Sequence, residues 1–412
     1  MEYSKKYSAI EPSITLAISA KEKKMKSEGI DIIGFSVGEP DFKTPENIRK
    51  KAINSIENDP IGYTAADGMP NLKKSIIKKL KNDNGLDYEP GQIVVSNGAK
   101  HSLHNAIEAI VNPGDEIIVP SPYWVSYIEL INMSGAKPVI IEGLEENEFK
   151  ITAADISSVI SDKTKAIIIN SPSNPTGAVY TRDELMKIAD LAIKEDLIVI
   201  SDEIYEKLIY DGEHISIASF SEEIKERTIV INGMSKAYAM TGWRIGYTAS
   251  NKEIASIMSN MQSHATSNPN TVAQYASIEA LEGDTSSIDN MKAEFNLRRD
   301  LMVSLVNEIP LLSCKKPKGA FYVMVNISNA IGKKIKNIDI NGSMDFANLL
   351  LEDAQVAVVP GIAFGVDNYV RLSYATSQEK IKEGLNRIKK CLEYIINLVI
   401  NYFLIKYSLV SL

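Results

Sequence analysis

Short apolar runs alternate with amphipathic stretches through the middle of the chain. Five of the runs read as strands: 116–120 (EIIVP), 166–170 (AIIIN), 197–202 (LIVISD), 228–232 (TIVIN) and 244–249 (RIGYTA). Between the second and third, Thr181 and Glu184 stand at capping-box spacing, and Leu185, Ile188, Ala189, Ala192 and Ile193 then trace one helical face. Strand, helix, strand is a βαβ unit. The expected core is therefore α/β, a mostly parallel sheet sandwiched by helices.

After about residue 285 the pattern changes. A long charged helix (289–307), a strand (321–325), a helix, two short strands (356–359 and 369–373) and a final helix read as a smaller α+β domain. The expected division is a large domain over 46–285, a small domain made of 1–45 with 286–390, and an apolar extension over 391–412. Within that extension the run 395–405 (IINLVINYFLI) is broken by Asn397 and Asn401 and reaches only about half a membrane span. A peripheral or partner-packed helix end is the reading there, and no membrane partner is expected. The chain has no internal repeat and no low-complexity linker.

Composition narrows the function classes. The 412 residues suffice for a large core, and Lys+Arg 45 against Asp+Glu 53 gives a net charge of −8 with no basic arm, so nucleic acid is not an expected partner. Two cysteines, Cys314 and Cys391, form no disulfide framework and have no metal-ligand spacing, which fits a reducing cytoplasm. His101 and His104 share a helical face without a third ligand, so no metal is expected. With no Walker loop and no GxGxxG, kinase and dehydrogenase readings fail.

In open parallel sheets ligands bind beyond the carboxyl ends of the strands. The residues delivered there are Asn174 in SPSNPTG (171–177), Asp202 with Tyr205 in the segment after the third run, and Lys236 in GMSKAYAMTGWRIG (233–246). An amide, a carboxylate, a phenol and an amine at one sheet edge suit a cationic, phosphorylated, aldehyde-bearing ring. Pyridoxal 5′-phosphate is such a cofactor, needing a lysine for its Schiff base and an acid for its ring nitrogen. Each residue has a plainer alternative: a helix N-cap for Asp202, a turn residue for Asn174, a solvated charge for Lys236.

These segments resemble the class I pyridoxal-phosphate-dependent aminotransferases of fold type I, and the chain is similar to their aspartate aminotransferase branch. The matching pieces run in order from GEPDF (38–42) through YTAADG (63–68), SNGAK (96–100), PSPYWVSY (120–127), NSPSNPTG (170–177), SDEIYEKLIY (201–210) and SKAYAMTGWRIGY (235–247) to VRLSYATS (370–377). The resemblance implies a seven-stranded-type sheet and a homodimer with shared active sites. It implies that Lys236 is the Schiff-base lysine and moves the proton of the substrate Cα. Asp202 would pair with the ring nitrogen, and Tyr205 and Asn174 would bond the ring oxygen. Gly98, Ala99 and Lys100 would open a helix at the phosphate, joined by Arg244 and by Tyr63 of the neighbouring subunit. Trp124 would cover the ring, and Arg371, helped by the Gly38 backbone, would clamp the substrate α-carboxylate in a bidentate pair. The sequence departs from some relatives at Gly233, where a phosphate-binding serine often stands.

Specificity rests on Lys100, read as the partner of a distal carboxylate, with a solvated helix-start lysine as the alternative. Aspartate and glutamate then fit best. Thr15 borders the same expected pocket, while Glu11 is acidic where relatives accepting prephenate tend to be basic. The expected reaction is amino transfer from aspartate to 2-oxoglutarate in a ping-pong cycle. The alternatives are an aminotransferase preferring aromatic amino acids, alanine or prephenate, and a pyridoxal-phosphate β-lyase. A regulatory member of the fold would carry an added DNA-binding domain, for which the residues ahead of Gly38 leave no room.

Overall fold

The computed structural model describes residues 3–8, 10 and 12–393. Glu11 and the apolar run 395–405 lie outside the described residues. The described chain forms two compact units. One comprises Glu39–Ala293 and Lys318–Ala320 with the residues ahead of Pro12, and the other comprises Pro12–Gly38, Glu294–Pro317 and the residues from Phe321 on. Among the described residues no helix is long and apolar enough to cross a membrane.

The first unit is built on a seven-stranded sheet. Its spatial order is Ile93–Ser96, Gly246–Ala249, Thr228–Gly233, Ile198–Asp202, Thr164–Asn170, Glu116–Ser121 and Lys137–Glu142. All strands are parallel except Gly246–Ala249, which runs antiparallel to both neighbours. The expected α/β sheet is present, with two strands that the sequence reading passed over, Ile93–Ser96 and Lys137–Glu142.

Alternation explains why the strands are apolar throughout. Ile168 and Ile200 point into a core with Leu103, Ala106 and Ile107, whereas Ile167 and Val199 point into another with Leu185, Ile188 and Ala189. The central strands therefore bury both faces, as a helix-covered parallel sheet requires. The helix Arg182–Lys194 starts as its sequence indicated: Thr181 and Glu184 form a capping box, with the Thr181 N–H donating to Glu184 Oε2 at 2.7 Å. Register then fixes the site. Asn170 pairs with Asp202, Asp202 with Ile231, and Gly233 with Gly246, so the polar strand ends fall on one edge.

One boundary differs from its expectation. Arg244 is not in a strand; it follows the turn Thr241–Trp243 in a left-handed conformation at φ 56°, and the strand begins at Gly246. The turn carries the guanidinium back to donate to Thr241 O at 2.9 Å and Asn97 O at 3.3 Å.

In the second unit, Tyr369–Ser373 lies between Val359–Pro360 and Tyr322–Asn326 in an antiparallel sheet. The run 356–359, read as one strand, is divided: Val356–Ala357 pairs in parallel with Ile33–Gly34, and Val359–Pro360 joins the three-stranded sheet. Two short pairings replace one because Val358 separates strands belonging to different sheets.

Backbone approaches closely at Gly246, near the site edge. A Cβ there would overlap the backbone of Gly98 and Ala99. Gly246→Ala is expected to destabilise the protein by about 2 kcal/mol or more, through forced displacement of the helix start. Urea unfolding checks this; an unchanged midpoint would contradict the packing described.

Candidate active site

Asp202 closes the strand Ile198–Asp202 and is buried, 4% exposed. Its Oδ2 accepts from the Tyr127 hydroxyl at 2.7 Å and its Oδ1 from the Ile204 N–H at 3.2 Å. Burial pushes its pKa up to about 6, against the opposing pull of those two donors and of Lys236. Among the described residues such a carboxylate meets no cation at hydrogen-bonding distance, and it is suited to receive one.

The other strand ends gather around it. Lys236 Nζ stands 5.7 Å from the centroid of the buried Tyr205 ring. The Asn170 amide donates to Asp202 O at 2.9 Å, and its Oδ1 accepts from the Asn174 N–H at 2.8 Å, fixing the loop that presents Asn174. Trp124 packs edge-on against Tyr127, with ring centroids 5.4 Å apart. A water-sized cavity of about 20 Å³ lies among Trp124, Tyr127, Asn170 and Asn174.

The helix Ala99–Ile110 opens at this edge from Gly98, whose φ of 85° favours glycine. A Cβ on Gly98 would also overlap the Arg244 guanidinium. The first N–H groups of a helix have no intrahelical acceptor, and the helix dipole adds positive potential there. Lys100 Nζ lies 5.0 Å from the Trp124 centroid. Lys100 is exposed as a residue, yet protein atoms crowd its ammonium, and this desolvation, followed by the charge of Arg244, lowers its pKa. Neither Lys100 nor Arg244 has a carboxylate partner among the described residues. Two uncompensated cations at a helix start form an anion-binding edge.

Gly233 is explained by packing: a Cβ there would lie 2.8 Å from Gly246 Cα and from Ile245 O, so serine does not fit. Tyr63 stands apart, 94% exposed in this chain.

In the second unit, Arg371 is buried between the rings of Tyr322 and Phe364, its guanidinium carbon 4.4 and 5.0 Å from their centroids, and its Nη2 donates to Ser36 O at 3.0 Å. Gly38 lies beside the same tyrosine, since a Cβ there would come 3.1 Å from Tyr322 Oη. Thr15 Oγ1 lies 2.8 Å from Ser13 Oγ near the start of the helix Ile14–Ser27. Of the sequence-derived residues, Lys236, Asp202, Tyr205, Asn174, Gly98, Ala99, Lys100, Trp124 and Arg244 thus belong to one edge of the first unit, and Gly38 and Arg371 to the second.

Tyr127, Tyr322 and Phe364 were passed over. Tyr127 had a signal, because it falls one helical turn after Trp124 in PSPYWVSY. Tyr322 and Phe364 had none, since only the fold brings them to Arg371.

A parallel α/β sheet whose strand ends assemble an amine, a phenol, a buried carboxylate and an anion-binding helix start defines a group-transfer enzyme of the aminotransferase type. The chain belongs to the family described as aminotransferase class I and II, which it matches over residues 30–388. It is 50% identical over 381 residues to an aspartate aminotransferase of Bacillus sp. (strain YM-2), covering 92% of this chain and 96% of that protein. The aspartate aminotransferase of Rhizobium meliloti has the same fold, with a TM-score of 0.92 and 40% identity over 95% of this chain and 99% of that one. That of Thermus thermophilus, solved with maleate, gives 0.90 and 38% over 95% and 100%.

The raised pKa of Asp202 makes its ionisation a cost to the cofactor-free fold. The protonated form is favoured in the fold, so the penalty grows as pH rises from about 4 to about 6 and is fully present above that. Asp202→Asn is expected to stabilise the cofactor-free protein at pH 7.5 by about 1–3 kcal/mol, with the gain shrinking toward pH 4. Denaturant unfolding of both proteins across that range measures it; a gain independent of pH would refute the burial argument.

Proposed function

We propose that this aminotransferase binds pyridoxal 5′-phosphate at the sheet edge and moves the amino group of aspartate to 2-oxoglutarate, releasing oxaloacetate and then glutamate in a ping-pong cycle. The observation that carries the dicarboxylate preference is Lys100, a desolvated ammonium beside Trp124 and Arg244 with no carboxylate partner among the described residues. The maleate of the Thermus thermophilus structure is itself a dicarboxylate, which supports the same choice.

The residues present fit the cofactor. Gly98 leaves space that a side chain would fill, the helix start and Arg244 offer donors to a phosphate, and Asp202 is a buried acid able to hold a protonated ring nitrogen. When bound, pyridoxal phosphate supplies an electron-withdrawing ring that acidifies the substrate Cα–H and carries the amino group between half-reactions. Lys236 would take the substrate Cα proton as general base and hold it as the acid that gives it back. Tyr205 and Asn174 would hold the ring oxygen, Trp124 would cover the ring and exclude water, and Arg371 would orient the α-carboxylate through its planar fork.

The functional form is a homodimer in the cytoplasm. Ile56, Ile61 and Tyr63 are all more than half exposed in this chain, apolar surface suited to cover by a second copy, which would place Tyr63 at the neighbour's phosphate. Cys314 and Cys391 are buried and not joined to each other in a disulfide, compatible with a reducing compartment.

Lys236→Ala is expected to abolish steady turnover and the visible absorbance of lysine-bound cofactor; retained turnover would sink the assignment. Lys100→Ser should lower kcat/KM for aspartate and glutamate by roughly tenfold or more while leaving alanine within about twofold. By contrast, Arg371→Lys should raise KM for all three amino acids. Equal losses for alanine and aspartate in Lys100→Ser would refute the distal-carboxylate role.

A further inference from the structure

The segment that presents Asp202 and Tyr205 is gripped from its other side by a buried ionic cluster to which the proposed chemistry assigns no part. Ser201, Glu203 and Glu206 alternate with the two site residues. Glu203, 1% exposed, accepts from Ser201 Oγ at 2.8 Å and Ser216 Oγ at 2.6 Å through Oε1, and its Oε2 lies 2.9 Å from His214 Nε2. Glu206 lies 3.8 Å from the same nitrogen, pairs with the buried Lys79 ammonium and accepts from Asn84 Nδ2 at 3.0 Å. The backbone is tied as well, with Glu203 N–H donating to Ile231 O at 2.9 Å and Glu206 N–H to Glu203 O at 3.0 Å.

Glu203, Glu206 and His214 offer three atoms within 4.8 Å of one another, a spacing that could hold a metal ion. Donors already fill those positions: two hydroxyls and the imidazole serve Glu203, and an ammonium and an amide serve Glu206. Burial lowers the His214 pKa, but the two glutamates together outweigh it and raise it, and Lys79 faces Glu206, so cationic or donor partners already stand where an ion would bind.

We propose that Glu203 and His214 are positioning residues of the transfer site: their hydrogen bond, with those of Ser201 and Ser216, locks the segment 201–206 so that Asp202 and Tyr205 meet the bound cofactor in one geometry. His214, eight residues after Glu206, folds back onto this segment, so its bond constrains where the strand end points. A group needing alignment to within a fraction of an ångström is sensitive to such a tether. The inference rests on the pyridoxal-phosphate reading above.

The test compares His214→Leu, which deletes the donor, with His214→Gln, which keeps a donor of similar reach. Pyridoxal phosphate is titrated into the dialysed proteins by fluorescence, and kcat and KM for aspartate are measured at a temperature where unfolding scans show each protein folded. In His214→Leu the cofactor Kd is expected to rise and kcat to fall, each about tenfold or more, with KM within about twofold, and His214→Gln should recover most of both. Should His214→Leu not fold, Ser216→Ala, which removes one donor to the same carboxylate and keeps every charge, carries the test with smaller changes in the same direction. Lower melting temperatures with unchanged Kd and kcat in the folded variants would overturn the proposal, leaving a purely structural cluster. Failure of the cofactor reading would appear instead in the unmodified protein, which would bind no pyridoxal phosphate.

Discussion

A carboxylate buried at the end of a central strand organises the first unit. Asp202 is delivered by register: its backbone pairs with Asn170 on one side and Ile231 on the other, so it cannot turn toward solvent without breaking two ladders. Because burial raises its pKa to about 6, the fold holds at neutral pH a charge that it solvates poorly. The donors around it are few and oriented, Tyr127 and the Ile204 N–H, and they compensate only in part. The site is therefore poised for a cationic partner.

The opposite electrostatic debt sits at the helix start. Lys100 and Arg244 repel each other, and neither meets a carboxylate among the described residues, although the chain as a whole carries a charge of −8. A local positive cleft on an acidic protein attracts small anions while the global charge repels polyanions. The glycines make this possible, since Gly98 and Gly246 let the backbone of the helix start, the neighbouring strand and the Arg244 guanidinium come together where any Cβ would intervene.

Much of this was legible from residue order. Parallel strands buried on both faces must be apolar until they end, so the first polar residues after 170, 202 and 232 marked the edge, and Thr181 with Glu184 marked the crossover helix. Ile93–Ser96 escaped because four residues are too short to be distinguished from the end of a loop, and Lys137–Glu142 because it is an edge strand with a proline and only partial burial. The antiparallel direction of Gly246–Ala249 has no local signature, since direction is set by how the chain arrives. Tyr322 was hidden for the same reason: its partner lies 49 positions along the chain at Arg371, and such a pairing exists only after the sheet forms. The aromatic pair around Arg371 also shows why an arginine stands there. A planar guanidinium stacks between rings and still presents donors at its edge, which an ammonium does not do.

These features share a thermodynamic sign. The ionised Asp202, the repulsion between Lys100 and Arg244, and the left-handed Arg244 backbone all cost the cofactor-free chain stability, the last by roughly 1 kcal/mol. The two electrostatic costs are relieved by a ligand with a cationic ring at one end and an anion at the other. Free energy withheld from folding in this way is recovered on binding, so ligand affinity and fold stability are linked through the same few residues. The ionic cluster behind the strand end works in the other direction. Lys79, Glu203, Glu206 and His214 satisfy one another, and their mutual pairing stiffens the segment that the unsatisfied groups leave under load. The hydrogen bonds of that cluster add to the two strand ladders in holding Asp202 where its unfavourable charge stays buried.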